Sequence, residues 1–309
     1  MSRDNVTNSP REAHPPGATV LDGARGSGPE SGRRTRRGTG FALMGSELSV
    51  LFRRRRTWAM FAALAAVPVL IAVAVRLSSS GESAGGGPAF LDSITQNGLF
   101  VAFTALTVSI PLFLPLTIGV VAGDTIAGEA SLGTLRYLLI APAGRGRLLL
   151  VKYVGTAVFC VAATVVVVLA GVAIGAALFP IGPLTLLSGD TIGVAGYAAR
   201  CLLLVAYVSV SLLGLNAIGL FISTLTTVPV GAMAATSVLA VVAQILGSLP
   251  QLSWLHPWLF TEHWLGFGGL LTKPVSLDSF ADNALLQLAY IAVFGAAAYG
   301  RLSTKDVLS

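Results

Sequence analysis

Charge is what this sequence has least of. Only 11% of its 309 residues are Asp, Glu, Lys or Arg, where a soluble domain carries about 25%. That shortage excludes an ordinary water-soluble fold. Cysteine is equally scarce: Cys160 and Cys201 are the whole supply, and both fall in or beside apolar runs. Small apolar side chains are their expected role, and neither a disulfide framework nor a metal site is. The N-terminus lacks the apolar core of a signal peptide. No G-x-x-x-x-G-K-[ST] loop occurs anywhere, so the chain has no phosphate cradle for ATP of its own. Gly144–Lys152 imitates one only superficially, with the wrong spacing and no closing Ser or Thr.

What the sequence does contain is long apolar blocks. Hydrophobic residues make up 54% of the chain and the mean hydropathy is +0.79. Crossing a hydrocarbon core of about 30 Å takes roughly 20 residues at 1.5 Å each. By that measure the blocks predict an all-α polytopic membrane protein with six spans, near residues 57–75, 99–122, 154–179, 201–222, 229–249 and 283–300. The cut between the fourth and fifth rests on the polar turn Ser223–Pro229 inside one uncharged stretch. Residues 1–40, rich in Gly, Pro, Ser and Arg, read as a disordered tail, and residues 41–309 as the transmembrane domain.

The net charge of +6 and pI near 9.7 invite a nucleic-acid reading, which the distribution of cations opposes. Eleven of the twenty Lys and Arg precede residue 57. With the N-terminus inside, the cytoplasmic loops collect seventeen basic residues and the outer side keeps Arg76, Arg200 and Lys273. The positive-inside rule therefore predicts a cell-membrane protein with both termini cytoplasmic and no nucleic-acid partner.

Two cytoplasmic segments are more than connectors. Ser46–Phe52, followed by Arg53–Arg56, reads as a short amphipathic approach to the membrane, apolar side chains at the interface and arginines on lipid headgroups. After the second span, Gly123–Arg147 carries leucines at helical spacing (Leu132, Leu135, Leu138, Leu139) and stops at Pro142 and Gly144. A short helix lying across the cytoplasmic mouth would offer Glu129 and Arg136 as polar contacts. It would grip either a partner or its own bundle.

The pattern Gly128-Glu129, Gly133-Thr134, Leu138-Leu139, Pro142, Arg145, Lys152 resembles the first cytoplasmic loop of ABC-2 type transporter permeases. The likeness extends over roughly residues 42–305. It implies a permease working with a second copy or a paralogous permease, on a separate cytoplasmic ABC ATPase that holds ATP and Mg. No cofactor binds this chain directly, and the chain is not itself an enzyme. Carried onto this sequence, the resemblance makes Glu129, Gly133, Thr134, Arg136, Pro142 and Arg145 the coupling residues. Export of a hydrophobic or amphipathic compound is the implied activity. The alternative is a non-transporting anchor or sensor that recruits a cytoplasmic partner.

Within the spans, ionisable residues keep to the ends, which weighs against an ion-coupled carrier. Pro111 and Pro115 predict a kink in span two with a gating role. Asn216 is either an interhelical hydrogen bond or part of a translocation route. Gly171 and Gly175 form a G-x-x-x-G packing face. Trp254, Trp258 and Trp264 fit an outer interfacial belt, and His256, Glu262 and His263 a weak metal constellation at most.

Overall fold

The computed structural model describes residues 39–79, 97–133, 144–180, 182, 184–185, 191–272 and 274–304. Of the tail expected at residues 1–40, residues 1–38 lie outside them, and Thr39 and Gly40 begin the first helix. Among the described residues eight helices carry the fold: α1 (Thr39–Arg53), α2 (Arg55–Ser79), α3 (Phe100–Ser109), α4 (Phe113–Ser131), α5 (Arg145–Leu178), α6 (Val194–Leu225), α7 (Pro229–Ser248) and α8 (Asp278–Thr304). A two-residue antiparallel ladder, β1 (Leu184–Thr185) with β2 (Thr191–Ile192), precedes α6. Six of the helices, α2 and α4 to α8, are long and apolar enough to cross a membrane.

Apolar side chains at every point around a helix give it no single buried stripe, so each span packs on several neighbours. α6 contacts α4, α5, α7 and α8, and α4 lies between α6 and α7. These two are the most enclosed spans, and α7 and α8 the least. Phe159, Leu106, Leu114, Leu204 and Leu212 are fully buried in the central core. The G-x-x-x-G of α5 packs on the start of α3: a methyl group on Gly171 would lie 2.6 Å from Ala102 Cα, and one on Gly175 would collide with the Gly98 carbonyl. No larger residue fits where two backbones come so close.

The structure corrects three expectations. First, the stretch predicted as one span at 99–122 is two helices, broken at Ile110-Pro111-Leu112. Proline has no N–H, so Pro111 withdraws the donor due to Thr107 O, and Pro115 the one due to Pro111 O. Second, the helix does not end at Ala122. It continues through Asp124 and Glu129 to Ser131, because cations from other elements neutralise both carboxylates. The mouth-spanning helix expected after Gly123 thus begins as an extension of the span itself, and residues 134–143 lie outside the described ones. Third, Trp264 is not in an interfacial belt. It is 1% exposed and donates from Nε1 to Ser211 O at 2.9 Å, whereas Trp254 and Trp258 are 70% and 71% exposed.

The segment around Trp264 consists of short 3-10 turns at Pro250–Leu252, His256–Trp258 and Gly266–Leu271, and it returns into the core. Tyr207 donates to His263 O at 2.5 Å, Gln287 Nε2 to Phe260 O at 2.9 Å, and Asn283 Nδ2 to Ser211 Oγ at 2.7 Å. Polar groups this deep cost free energy unless bonded. Their satisfaction explains how Asn283 and Gln287 tie α8 to α6 and to the turns.

Candidate functional site

A cluster of charged residues lies at one end of the bundle, where α1 meets the start of α2, the end of α4 and the start of α5. α1 turns into α2 within one residue. The Arg54 carbonyl accepts from Thr57 N at 3.0 Å, Thr57 Oγ1 donates to Leu51 O at 2.7 Å, and Trp58 Nε1 donates to Phe52 O at 2.9 Å. These bonds satisfy carbonyls that the end of α1 would otherwise leave open. Stacked rings continue the join inward, Phe52 on Phe61 and Phe61 on Phe159, with centroids 6.0 and 5.2 Å apart.

Four ionic contacts among the described residues close the corner. Arg54 Nη1 and Arg56 Nη2 both donate to Asp124 Oδ2, at 2.9 and 2.5 Å. Lys152 Nζ donates to Glu47 Oε1 at 2.8 Å and to Glu129 Oε1. Lys152 is 3% exposed, and an ammonium so enclosed requires matched anions. Arg54, Arg56 and Lys152 face Glu47, Asp124 and Glu129, three cations against three carboxylates. The cluster lines a cavity of about 290 Å³. Gly128 leaves room for it: a methyl group there would lie 2.7 Å from Asp124 Oδ1.

Of the residues singled out from sequence, the structure brings Glu129 into this cluster. Gly133 stands just past the end of α4 with φ +70°, the left-handed stop that glycine adopts without strain. Arg145 opens α5 and reaches a different element, donating to Leu302 O at 2.8 Å and Ser303 O at 2.6 Å. A guanidinium suits the negative end of a helix, here α8. Thr134, Arg136 and Pro142 lie outside the described residues. Pro111 and Pro115 sit at the break between α3 and α4. Asn216 is fully buried in α6 and donates to Tyr153 O on α5 at 3.3 Å, while its Oδ1 has no partner among the described residues.

Sequence reasoning passed over Asp124 and left Glu47 without a partner. The available signal was two carboxylates, Asp124 and Glu129, extending an apolar run that also carries small residues throughout. Ser223, which the sequence put at the start of the polar turn, lies inside α6 instead, and its Oγ donates to Gly123 O at 2.6 Å and accepts from Ile126 N and Ala127 N at 3.0 and 2.8 Å. That hydroxyl pins α6 to α4 just inside the charged cluster. His256, Glu262 and His263 form no metal cluster among the described residues.

A helix ahead of the first span and a charged corner beside the second and third accompany six apolar helices long enough to cross a membrane, and a family model described as "ABC-2 family transporter protein" matches residues 41–263. The chain belongs to the ABC-2 transporter family. The match starts within α1 and ends at His263, so it takes in the charged corner, the broken helix and most of the 3-10 turns, and leaves α8 beyond it. No curated protein matches the chain. This ABC-2 permease is therefore a multi-pass membrane protein and the transport subunit of an ABC transporter, a kind of subunit that works with an ABC ATPase.

Proposed function

We propose that this permease exports a hydrophobic or amphipathic compound across the cell membrane, driven by ATP that a separate cytoplasmic subunit hydrolyses. ATP and Mg belong to that subunit. Two permeases, identical or paralogous, stand on two ATPases. The basic-residue count supports cytoplasmic termini, which puts the charged corner on the ATPase side.

One observation carries this reading: Lys152 bonds both Glu47 and Glu129, so the ends of α1, α4 and α5 form one ionic unit. The ATPase would press on the segment between Gly133 and Gly144, where Thr134, Arg136 and Pro142 stand. Both ends of that segment enter spans, one through Glu129 and the other through Arg145, which is tied to α8. A push there moves α1, α4, α5 and α8 together. The break at Pro111 is where α4 can tilt against α3, and the Asn216 bond to Tyr153 is one contact between α5 and α6 that such tilting must strain. This is transmission of force, with no step of covalent chemistry on the permease.

The test is a mild-detergent purification of tagged protein with its co-purifying partner, assayed for ATPase activity and for transport in vesicles. The expected result is a stoichiometric ATPase whose hydrolysis continues in Glu129→Gln while transport falls at least tenfold. Full transport in Glu129→Gln removes the ionic unit from the coupling path. A folded permease that carries no ATPase, under conditions that preserve a known ABC complex, favours the anchor or sensor.

A further inference from the structure

On another flank of the same end, α5, α6 and α8 enclose a groove of about 280 Å³ that shares no residue with the charged corner. Its walls include Gly146, Leu150 and Tyr153 of α5, Leu220 of α6, and Gly295 and Tyr299 of α8. The lining is almost wholly apolar. Tyr153 turns its hydroxyl to Leu213 O on α6 at 3.3 Å. The groove opens outward between Leu150, 60% exposed, and Tyr299, 51% exposed. It is nearly twice the size of an apolar cavity of about 150 Å³ that takes up benzene.

Its depth in the membrane follows from helix length. α5 has 34 residues, or about 51 Å at 1.5 Å each, against a hydrocarbon core of about 30 Å. About 10 Å of α5 therefore stands outside the core at each end. Gly146–Tyr153 is that portion, at the boundary between headgroups and acyl chains. Water does not wet such a lining, whereas an apolar chain fits it. Beside it lie Arg147, next to Gly146, and Arg301, two residues beyond Tyr299. Both are exposed and neither forms an ion pair among the described residues. Arg145 differs, being engaged on the end of α8.

From an apolar slot at the boundary between headgroups and acyl chains, with two exposed arginines one and two residues along the chain from its lining, we infer that the groove holds an anionic phospholipid. The upper part of one acyl chain lies between Leu150 and Tyr299, and the phosphate faces Arg147 and Arg301. Basic sites between spans on the cytoplasmic side recognise acidic headgroups in this way. The glycines keep the slot open: a methyl group on Gly295 would meet nothing within 4 Å, and one on Gly146 only the Tyr299 ring at 3.4 Å. A lipid seated there bridges α5 and α8 beside the Arg145 tie. The site stands independently of the proposed export, since neither cargo nor ATP enters the argument.

The experiment uses the full chain in lipid nanodiscs, with phosphatidylglycerol carrying a diazirine in its acyl chain and phosphatidylcholine with the same chain for comparison. Adducts are mapped by mass spectrometry. Labelling should fall on residues 146–153 and 291–299, at least threefold stronger for phosphatidylglycerol. Gly295→Phe, which fills the slot, should lower it at least fivefold. Arg147→Gln with Arg301→Gln should abolish the headgroup preference and leave acyl labelling in place. Leu285→Phe, on the outward face of α8, serves as the control and should change nothing. Equal labelling in Gly295→Phe, or no preference between headgroups in the native chain, overturns the inference. So do disulfide-linked dimers of Leu150→Cys without lipid adducts, which would give the groove to a second copy. Elution of each variant as a folded species on gel filtration separates a lost site from a lost fold.

Discussion

Lys152 holds its ammonium between two carboxylates where water hardly reaches. Exposed ion pairs contribute under about 1 kcal/mol, but removing one partner of an enclosed set costs about 3–5 kcal/mol, because the remaining charges stay desolvated and repel. Lys152→Met should therefore lower thermal stability in detergent markedly, and adding Glu47→Gln with Glu129→Gln should restore most of it. If the single variant melts as the native protein does, the carboxylates have enough solvent to do without the lysine. Asp124 is 13% exposed but its partners Arg54 and Arg56 are 47% and 41% exposed, so water can take its place on them and Asp124→Asn should cost less, about 1 kcal/mol. Gly128→Ala sets a methyl group against the Asp124 carboxylate. Its effect should shrink in an Asp124→Ala background, where no carboxylate meets the methyl, which a double-mutant cycle would read.

At the scale of elements, the break between α3 and α4 and the contact between α3 and α5 make opposite demands. The break leaves Thr107 O and Pro111 O without their helical donors. Pro111→Ala returns one donor, and the expected outcome is a straighter, stiffer span two: slower amide exchange at residues 107–115, normal insertion and reduced transport. Unchanged exchange would mean that surrounding packing, rather than proline, maintains the break. The α3–α5 contact tolerates nothing new. Gly175→Leu would force a side chain into the Gly98 backbone, and overpacking of this kind costs about 1–3 kcal/mol or more. Loss of folded yield should follow, whereas the same change at Gly300, with open space around it, should be silent.

For the whole molecule, helix alternation places the charged corner, the Arg145 tie and the lipid groove at one end, and the 3-10 turns at the other. A small satellite core of Ile126, Leu149, Leu220, Ala298 and Leu302 marks the first end. In the proposed orientation both termini are cytoplasmic. Single cysteines at Ser9 and Ser309, introduced after replacing Cys160 and Cys201, should resist an impermeant maleimide in intact cells and react after permeabilisation. Labelling of either in intact cells would reverse the assigned orientation.

Length and apolarity alone determined that six helices cross a membrane, since an uncharged run of about 20 residues has no lower-energy course in a bilayer. Arginine placement set the predicted direction, and the motif from Gly128 to Lys152 pointed to the family. What required the tertiary structure was partnership. Neither Asp124 nor Glu47 looks paired in sequence, because Asp124 lies 70 and 68 residues from its arginines and Glu47 lies 105 from its lysine. A reading by hydropathy therefore ended span two before carboxylates that the fold neutralises. It placed Trp264 at the interface because an indole suits that position, while packing provided the Ser211 carbonyl deep inside. The family resemblance made Arg145 a coupling residue, and nothing in the sequence showed its acceptors within the chain, the Leu302 and Ser303 carbonyls at the end of α8. Periodicity and hydropathy record how each residue relates to its solvent, and only the packed fold decides which distant group takes the solvent's place.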